Sequence, residues 1–487
     1  MPDYRHRIET TEAADSYVAP QVTSAGLLVA VGTAPVNLAA DPAKAVNTPI
    51  IAYNFAEAKE QLGYSDDFEN YTLCQVMDHS FRKAGVAPVV FINVLDPATH
   101  YAAMTSETVT ITNRLGVVQQ TGVLESGLTV KDGADTLVKD TDYTLSFGDD
   151  GKLRITILMT TPPASVTVTG NKLDPTAVTK TEVIGGYNVG TGEETGLEAI
   201  QQVFPKFGLV PGILAAPKWS ADADVAAVIA AKIHSINGVF NCFAVVDIDT
   251  STYTLYTGLN TARTAMGVTD PDVLPLWPKI KKGTVAYDYS AVWPAIAALC
   301  DADHGDIPYK NPSNEDLGAS AAVLEDGTEI LLDFSKAELV NSYGIATAIN
   351  FQGWKTWGDE TAAFPGSTSA SQRYIASRRM LAWLRNHFVL TYCSKIDEPM
   401  NPRLIESVLN SENEFLNEFL NGLAAIGAVP YGTHIVYDEE ANTLGNMING
   451  EVVFYLEWAA WPPAKHIVAE YRFIPELISN ALTGGAA

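Results

Sequence analysis

Few places in the 487-residue chain combine residue types and spacings that could do chemistry. The cluster Gly185-Gly186-Tyr187-Asn188-Val189-Gly190-Thr191-Gly192 could cradle a phosphate, because closely spaced glycines let backbone N–H groups approach an anion. A dinucleotide fingerprint should follow a strand directly within one βαβ unit, whereas this cluster follows a Thr/Lys-rich link. A flexible hinge between domains is the better reading, and no GxxxxGK[ST] occurs anywhere. Asp301-Ala302-Asp303-His304-Gly305-Asp306 gathers three carboxylates and an imidazole, the raw material of a hard-cation site. It has neither the glycine nor the glutamate that complete a calcium loop, so a solvated turn after a helix near Trp293–Cys300 is expected. The eight histidines show no HxxxH or HExxH spacing, and no serine sits in a GxSxG elbow. Trp354, Trp357, Trp458 and Trp461 could form a carbohydrate or ligand platform, although tryptophans near strand ends more often anchor a core or an interface. Cys74, Cys242, Cys300 and Cys393 lie far apart with no CxxC pair, so neither zinc nor a disulfide framework is suggested. No catalytic residue, cofactor or metal is expected.

The elements that would have to position such residues fall into three styles. Apolar runs at Leu27–Val31 and Val89–Leu95, with amphipathic helices at Asn54–Leu62 and Leu73–Ala84 between them, follow βαβ grammar. From about Tyr101 the pattern turns to short alternating strands: Thr108–Thr112, Leu128–Val130, Tyr143–Phe147, Lys152–Ile157 and Val166–Val168. After about Gly185 alternation with helices resumes, with a helix near Gly196–Phe207, a strand at Gly212–Ala216, a helix at Asp222–Ile236 and a strand at Phe243–Asp247. Val225, Val228, Ile229, Ile233 and Ile236 share one face of that second helix. The last third holds long helices at Ser369–His387 and Pro402–Ile426, then strands at Thr433–Tyr437, Glu451–Trp458 and His466–Phe473.

The fold class expected is therefore multidomain α/β and α+β. An extended N-terminal arm (1–22) precedes an α/β domain (23–100 and 185–345) that is interrupted by an all-β insertion (101–184). A C-terminal α+β domain carrying an arm strand (346–474) and a short tail (475–487) complete the chain. Ordering an extended residue costs roughly 1–2 kcal/mol, which a lone strand cannot recover, so an extended arm calls for a partner.

Composition narrows the field further. The balance of 47% hydrophobic and 18% charged residues is that of a folded chain, too long for one core. The charge of −26, from 57 acidic and 31 basic residues, opposes sequence-independent phosphate binding and argues against nucleic acid or anionic membrane as direct partners. The N-terminal residues have no apolar stretch behind their basic ones, and no run of ~18 apolar residues occurs, so a protein made in the cytoplasm and not inserted in a membrane is expected.

Several segments, in order, resemble the contractile tail sheath family of myophages and phage-derived bacteriocins. The series Ile184-Gly185-Gly186, Thr195-Gly196-Leu197 and Pro211-Gly212-Ile213-Leu214 through Pro217 is similar to that family's Gly-Gly, Thr-Gly-Leu and Pro-Gly-Ile-Leu-x-x-Pro motifs. Asp301 to Gly305 with Pro312-Ser313-Asn314, Leu339-Val340-Asn341 with Gly344-Ile345 and Trp357-Gly358 with Thr361, and Tyr374-Ile375-Ala376-Ser377-Arg378-Arg379-Met380 continue the likeness. It spans about residues 20–100 and 184–475, with the β insertion as the departure.

The resemblance implies a structural subunit that stacks as hexameric rings around a tail tube and contracts. Its partners would be neighbouring copies, the tube protein, and baseplate and tail terminator proteins. Assembly would take place in the bacterial host cytoplasm, and the product would be the tail of a virion or phage-like particle. It also implies arms exchanged between neighbours by strand addition, which assigns Tyr17, Val18 and Ala19 at one end and Ile467, Val468, Ala469, Tyr471 and Phe473 at the other. The alternation of Ile467, Ala469, Tyr471 and Phe473 with Val468, Glu470 and Arg472 independently suits a strand. The alternatives are a surface-lattice or adhesin subunit, which predicts an export signal, and a nucleotide-binding α/β enzyme using Gly185–Gly192, which predicts saturable nucleotide binding.

Overall fold

Unbroken runs of Val, Ile, Leu and Ala, with no polar alternation, suit strands covered on both faces, and such runs build the central sheet. A computed structural model describes residues 24–420 and 427–483. In it β1 (Leu28–Gly32), β2 (Ile50–Ala52), β3 (Val89–Asn93), β4 (Ile213–Ala215), β5 (Phe243–Asp247) and β6 (Val273–Leu276) align in the order β6-β5-β4-β1-β3-β2. All neighbours are parallel except β2, which runs antiparallel to β3. Val29 lies opposite both Val90 and Leu214, which makes β1 the middle of the hydrophobic core.

Helices cover the sheet where the sequence offers caps and apolar faces. The Asn54 side chain accepts from the Glu57 N–H to start α1 (Phe55–Leu62). α2 (Thr72–Met77) runs on through a π-helical turn over Asp78–Ala84. α3 (Ala223–Lys232) begins at Asp222, whose side chain accepts from the Asp224 N–H. Val225, Ile229, Ile233 and Ile236 are fully buried as the periodicity predicts, and Val228 packs at the edge of the same core. α4 (Tyr289–Ala302) is buried along most of its length, with Trp293 among the largest buried side chains.

Between β3 and β4 the chain leaves this sheet through a two-stranded stem, Tyr101–Ala103 against Asn171–Leu173. Beyond the stem lie two small antiparallel sheets with a separate core that includes Val118, Val130, Leu153, Ile155 and Val168. All five strands expected here are present within a residue or two, at Glu107–Thr110, Thr129–Asp132, Tyr143–Phe147, Lys152–Ile157 and Ser165–Thr169. Leu115–Thr121 is an additional strand, hidden in the sequence because Gly116 and the polar run Gln119-Gln120-Thr121 blur its alternation.

At the C-terminal end, α5 (Ile375–Tyr392) packs on α6 (Pro402–Glu414), which continues as a π-helical turn over Phe415–Leu420. Met380, Trp383 and Leu384 meet Phe415, Leu416, Ala428 and Val429 in a third core. Between the helices the fully buried His387 stacks on Phe415 at 3.8 Å, with its ring nitrogen 3.5 Å from the Glu412 carboxylate. β7 (His434–Tyr437) and β8 (Phe454–Glu457) form a two-stranded antiparallel ribbon. The third strand expected here, His466–Phe473, is not formed: these residues run without secondary structure into α7 (Glu476–Thr483). A strand exists only by pairing its backbone, and no strand among the described residues pairs with this segment. The other expected arm, with Tyr17, Val18 and Ala19, lies outside the described residues.

Candidate assembly interface

Each motif that looked chemical in the sequence has a structural occupation. Gly186–Asn188 pairs with Glu193–Thr195, so the glycine cluster is an ordered hairpin rather than the expected flexible hinge. A side chain at Gly185 would place its Cβ 1.9 Å from the Thr195 carbonyl oxygen, which is why glycine is needed there. The crevice at the ends of β5 and β6 is lined by Glu69, Asp247, Asp249, Asp288 and Glu325 against Lys218 and Lys279, a charge set that repels phosphate. Burial and the neighbouring Asp288 push the Asp247 carboxyl up to about 7.

The acidic run 301–306 is not simply a solvated turn. Asp301 is buried and accepts two hydrogen bonds from the guanidinium of Arg379, one of 2.9 Å, and both side chains are at most 3% exposed. Burial pushes the Asp301 carboxyl up and the guanidinium opposes this. Next to it, Arg378 binds both oxygens of Asp272, at 2.8 and 2.7 Å. His234 meets Asp270 at 2.8 Å, a bond that raises the pKa of the imidazole. His234, Asp270 and Asp272 bring their ligand atoms within 4.8 Å of one another, but a bidentate guanidinium already neutralises Asp272, so the trio is an ion-pair network rather than a cation site. The two adjacent arginines of α5 thus clamp the C-terminal helices to the central sheet, at residues preceding β6 and at the end of α4.

The four tryptophans divide. Trp354 is buried, its indole donating to the Ser320 carbonyl at 3.1 Å, and Trp458 packs against the third core. Trp357 and Trp461 instead face one cavity of about 710 Å³ beside the start of α5.

The ribbon and the tail beyond it differ from everything above. β7 is closed on its outer side, because the N–H and C=O of Ile435 both meet the Asn413 side chain, at 3.0 and 3.1 Å. No such partner reaches β8 among the described residues, which leaves one open sheet edge. From β8 the chain is held by the Trp461 indole, which donates to the Gly427 carbonyl at 2.7 Å. It is held again by Lys465, which pairs with Asp359 at 3.2 Å and with Glu360. Beyond that anchor every residue through Leu482 is exposed. Ile467 is 85% exposed, Val468 72%, Tyr471 94% and Phe473 81%, and Ala469 is exposed beside them. The structure thus puts the C-terminal site residues on one exposed segment that follows the ribbon in the chain. Sequence reasoning missed the Lys465 anchor and the twin-arginine clamp; the adjacent Arg378 and Arg379 were visible, but their carboxylate partners lie 106 and 78 residues away.

The comparisons with known proteins bear on this arrangement. No family model matches the chain. The tail sheath protein of Burkholderia phage BcepMu is 24% identical over 99% of each sequence. A putative prophage major tail sheath protein of Pseudomonas aeruginosa is 24% identical over 58% of this chain and 70% of its own. In fold, the chain is similar to the sheath complex of the extracellular contractile injection system PVC in its contracted state, with a TM-score of 0.56, 12% identity, and 98% and 99% of the two chains covered. It is also similar to the contracted helical sheath of the anti-feeding prophage, with a TM-score of 0.54, 14% identity, and 96% and 98% covered. The fold of mixed helices and several small sheets, and the full-length likeness to a tail sheath, make the chain similar to the structural subunits of contractile tails and tail-like particles. Its homologues are tail sheath proteins, which are structural proteins and not enzymes.

Proposed function

We propose that this chain is the repeating subunit of a contractile sheath, stacked as hexameric rings around a tail tube and contracting to drive that tube through a cell envelope. The observation that carries the reading is the tail: an exposed apolar segment that follows, in the chain, a ribbon with one edge unpaired among the described residues. Fully burying an Ile, Val or Phe contributes roughly 1.5–3 kcal/mol, which together with the backbone hydrogen bonds of a partner strand works against the cost of ordering the segment. Residues 467–473 of one copy add to the β8 edge of a neighbour, and Tyr17–Ala19 of another copy extend the same sheet. Such head-to-tail contacts do not close on themselves, so they generate a helical lattice.

In this reading the central sheet with its β insertion forms a body of two domains, the C-terminal α+β domain forms the exchange platform, and the arms are tethers. During contraction the bodies swing outward while the tethers keep neighbours linked, and the lattice passes from a metastable arrangement to one burying more surface. Tube, baseplate and terminator proteins are the remaining partners, with assembly in the host cytoplasm. Deleting residues 1–20, or all residues from His466 onward, should leave a folded protein that forms no tubes. The purified full chain at high concentration should give striated tubes in negative-stain microscopy, and tubes from either deletion would refute the strand-exchange assignment.

A further inference from the structure

A groove of about 320 Å³ lies at the amino ends of β1, β3 and β4. Val86, Pro88, Leu209 and Leu390 line it half-buried, and Leu299 of α4, also in the lining, is 39% exposed. An open apolar groove keeps water against hydrocarbon and favours an apolar occupant. Ser24, the first described residue, belongs to the same lining. The chain is fixed just behind it, because the Ala25 carbonyl accepts from the Arg379 guanidinium at 3.3 Å and the Leu27 carbonyl from the Gly212 N–H at 2.9 Å. Another space that Ser24 lines, beside Trp383 and Asn386, is all but filled, at about 10 Å³. The groove is the roomier of the two.

Building on the strand-exchange reading above, we infer that this groove holds the root of the chain's own arm, Pro20-Gln21-Val22-Thr23, with the Val22 side chain against Leu299, so that the arm is free to reach a neighbour only ahead of Pro20. The chain's connectivity favours this occupant. Val22 is two residues from Ser24, so its Cα lies within ~7 Å of a residue that already lines the groove. Val22 and Pro20 supply the apolar groups, and the fixed φ of proline lowers the entropy lost on seating the segment. A second copy would have to displace a segment tethered at the rim, whose effective concentration is on the order of millimolar. Pro20 also holds Ala19 before it in extended backbone, which suits Tyr17–Ala19 to pairing as a strand and puts the pivot of the arm at the Ala19-Pro20 junction.

The test places a single thiol on the arm of the full chain, as Val22→Cys or as Tyr17→Cys, with Cys393→Ser removing the exposed native thiol, and times its reaction with a soluble maleimide. Val22→Cys is expected to react more slowly than Tyr17→Cys by roughly tenfold or more, by a ratio that stays constant when the protein is diluted. Leu299→Asp should bring the two rates together. The comparison of the two arm positions leaves the groove itself unaltered, so misfolding cannot imitate the result. Equal rates at positions 22 and 17 overturn the inference. Protection that fades on dilution assigns the groove to a second copy and overturns it as well. Tubes formed by a chain whose position-22 thiol reacts freely would leave the sheath reading standing and remove this one. Concentration-independent protection in a chain that never forms tubes would do the reverse.

Discussion

Val89–Asn93 and Ile467–Phe473 draw on the same residue types, Val, Ile and an aromatic, and meet opposite fates. In β3, Val89, Val90, Phe91 and Ile92 are all fully buried between the parallel β1, the antiparallel β2 and covering helices. In the tail, Ile467, Val468, Tyr471 and Phe473 are 72–94% exposed and belong to no strand. Side-chain chemistry does not separate the two segments. The presence of a backbone neighbour does, and among the described residues the tail has none. Stability and function therefore occupy different places: one in a satisfied interior, the other in surface left unsatisfied until a partner arrives.

The largest expected effect breaks the interior at its clamp. Arg379→Ala leaves Asp301 as an uncompensated buried charge and should cost about 3–5 kcal/mol in urea unfolding, whereas replacing both partners by apolar residues of similar volume should cost far less. Trp293 lies 6.0 Å from the guanidinium and can report the transition by its fluorescence. A loss below about 1 kcal/mol for the single variant would mean that the pair is not the clamp described. The most direct contrast comes next. Ile92→Ala should destabilise by about 2–5 kcal/mol and Ile467→Ala by less than about 0.5, so comparable costs would show the tail to be packed in the free chain.

A smaller effect depends on pH. His79 is fully buried, neither ring nitrogen has a hydrogen-bond partner among the described residues, and burial together with the nearby Lys282 and Lys83 lowers its pKa well below 6.5. The unfolded chain takes up this proton before the folded one does, so stability is lost as pH falls below about 6.5, by up to ~1.4 kcal/mol per pH unit. The difference between wild type and His79→Phe, measured by unfolding between pH 7.5 and 5, should show that slope; parallel curves would deny it. The smallest effect sharpens the contrast from the other side. Tyr471→Ser should leave unfolding within about 0.5 kcal/mol of wild type while reducing tube formation, and a large loss of stability would place Tyr471 inside the fold.

Much of the fold was legible in the sequence because its signals are local. Unbroken apolar runs marked β1, β3 and β5, periodicity marked α3, and alternation marked five of the strands in the β-rich segment. Leu115–Thr121 escaped because a glycine and a polar run interrupt the period-two pattern. The site was legible only in part. The apolar alternation of residues 467–473 was plain, but alternation shows the capacity to pair and not the presence of a partner, so the expected strand is an exposed extended segment in the single chain.

What the sequence determined by itself was the set of elements and the chemistry lacking among its motifs, since periodicity, caps and catalytic spacings act over a few residues. Only the tertiary structure decided that Asp301 faces Arg379, that Trp357 and Trp461 share a cavity while Trp354 and Trp458 do not, and that Asn413 closes β7 while β8 has no second strand among the described residues. Each of these depends on groups far apart in the chain or on the absence of a neighbour. Local spacing carries no record of either, because burial and pairing are properties of the packed whole.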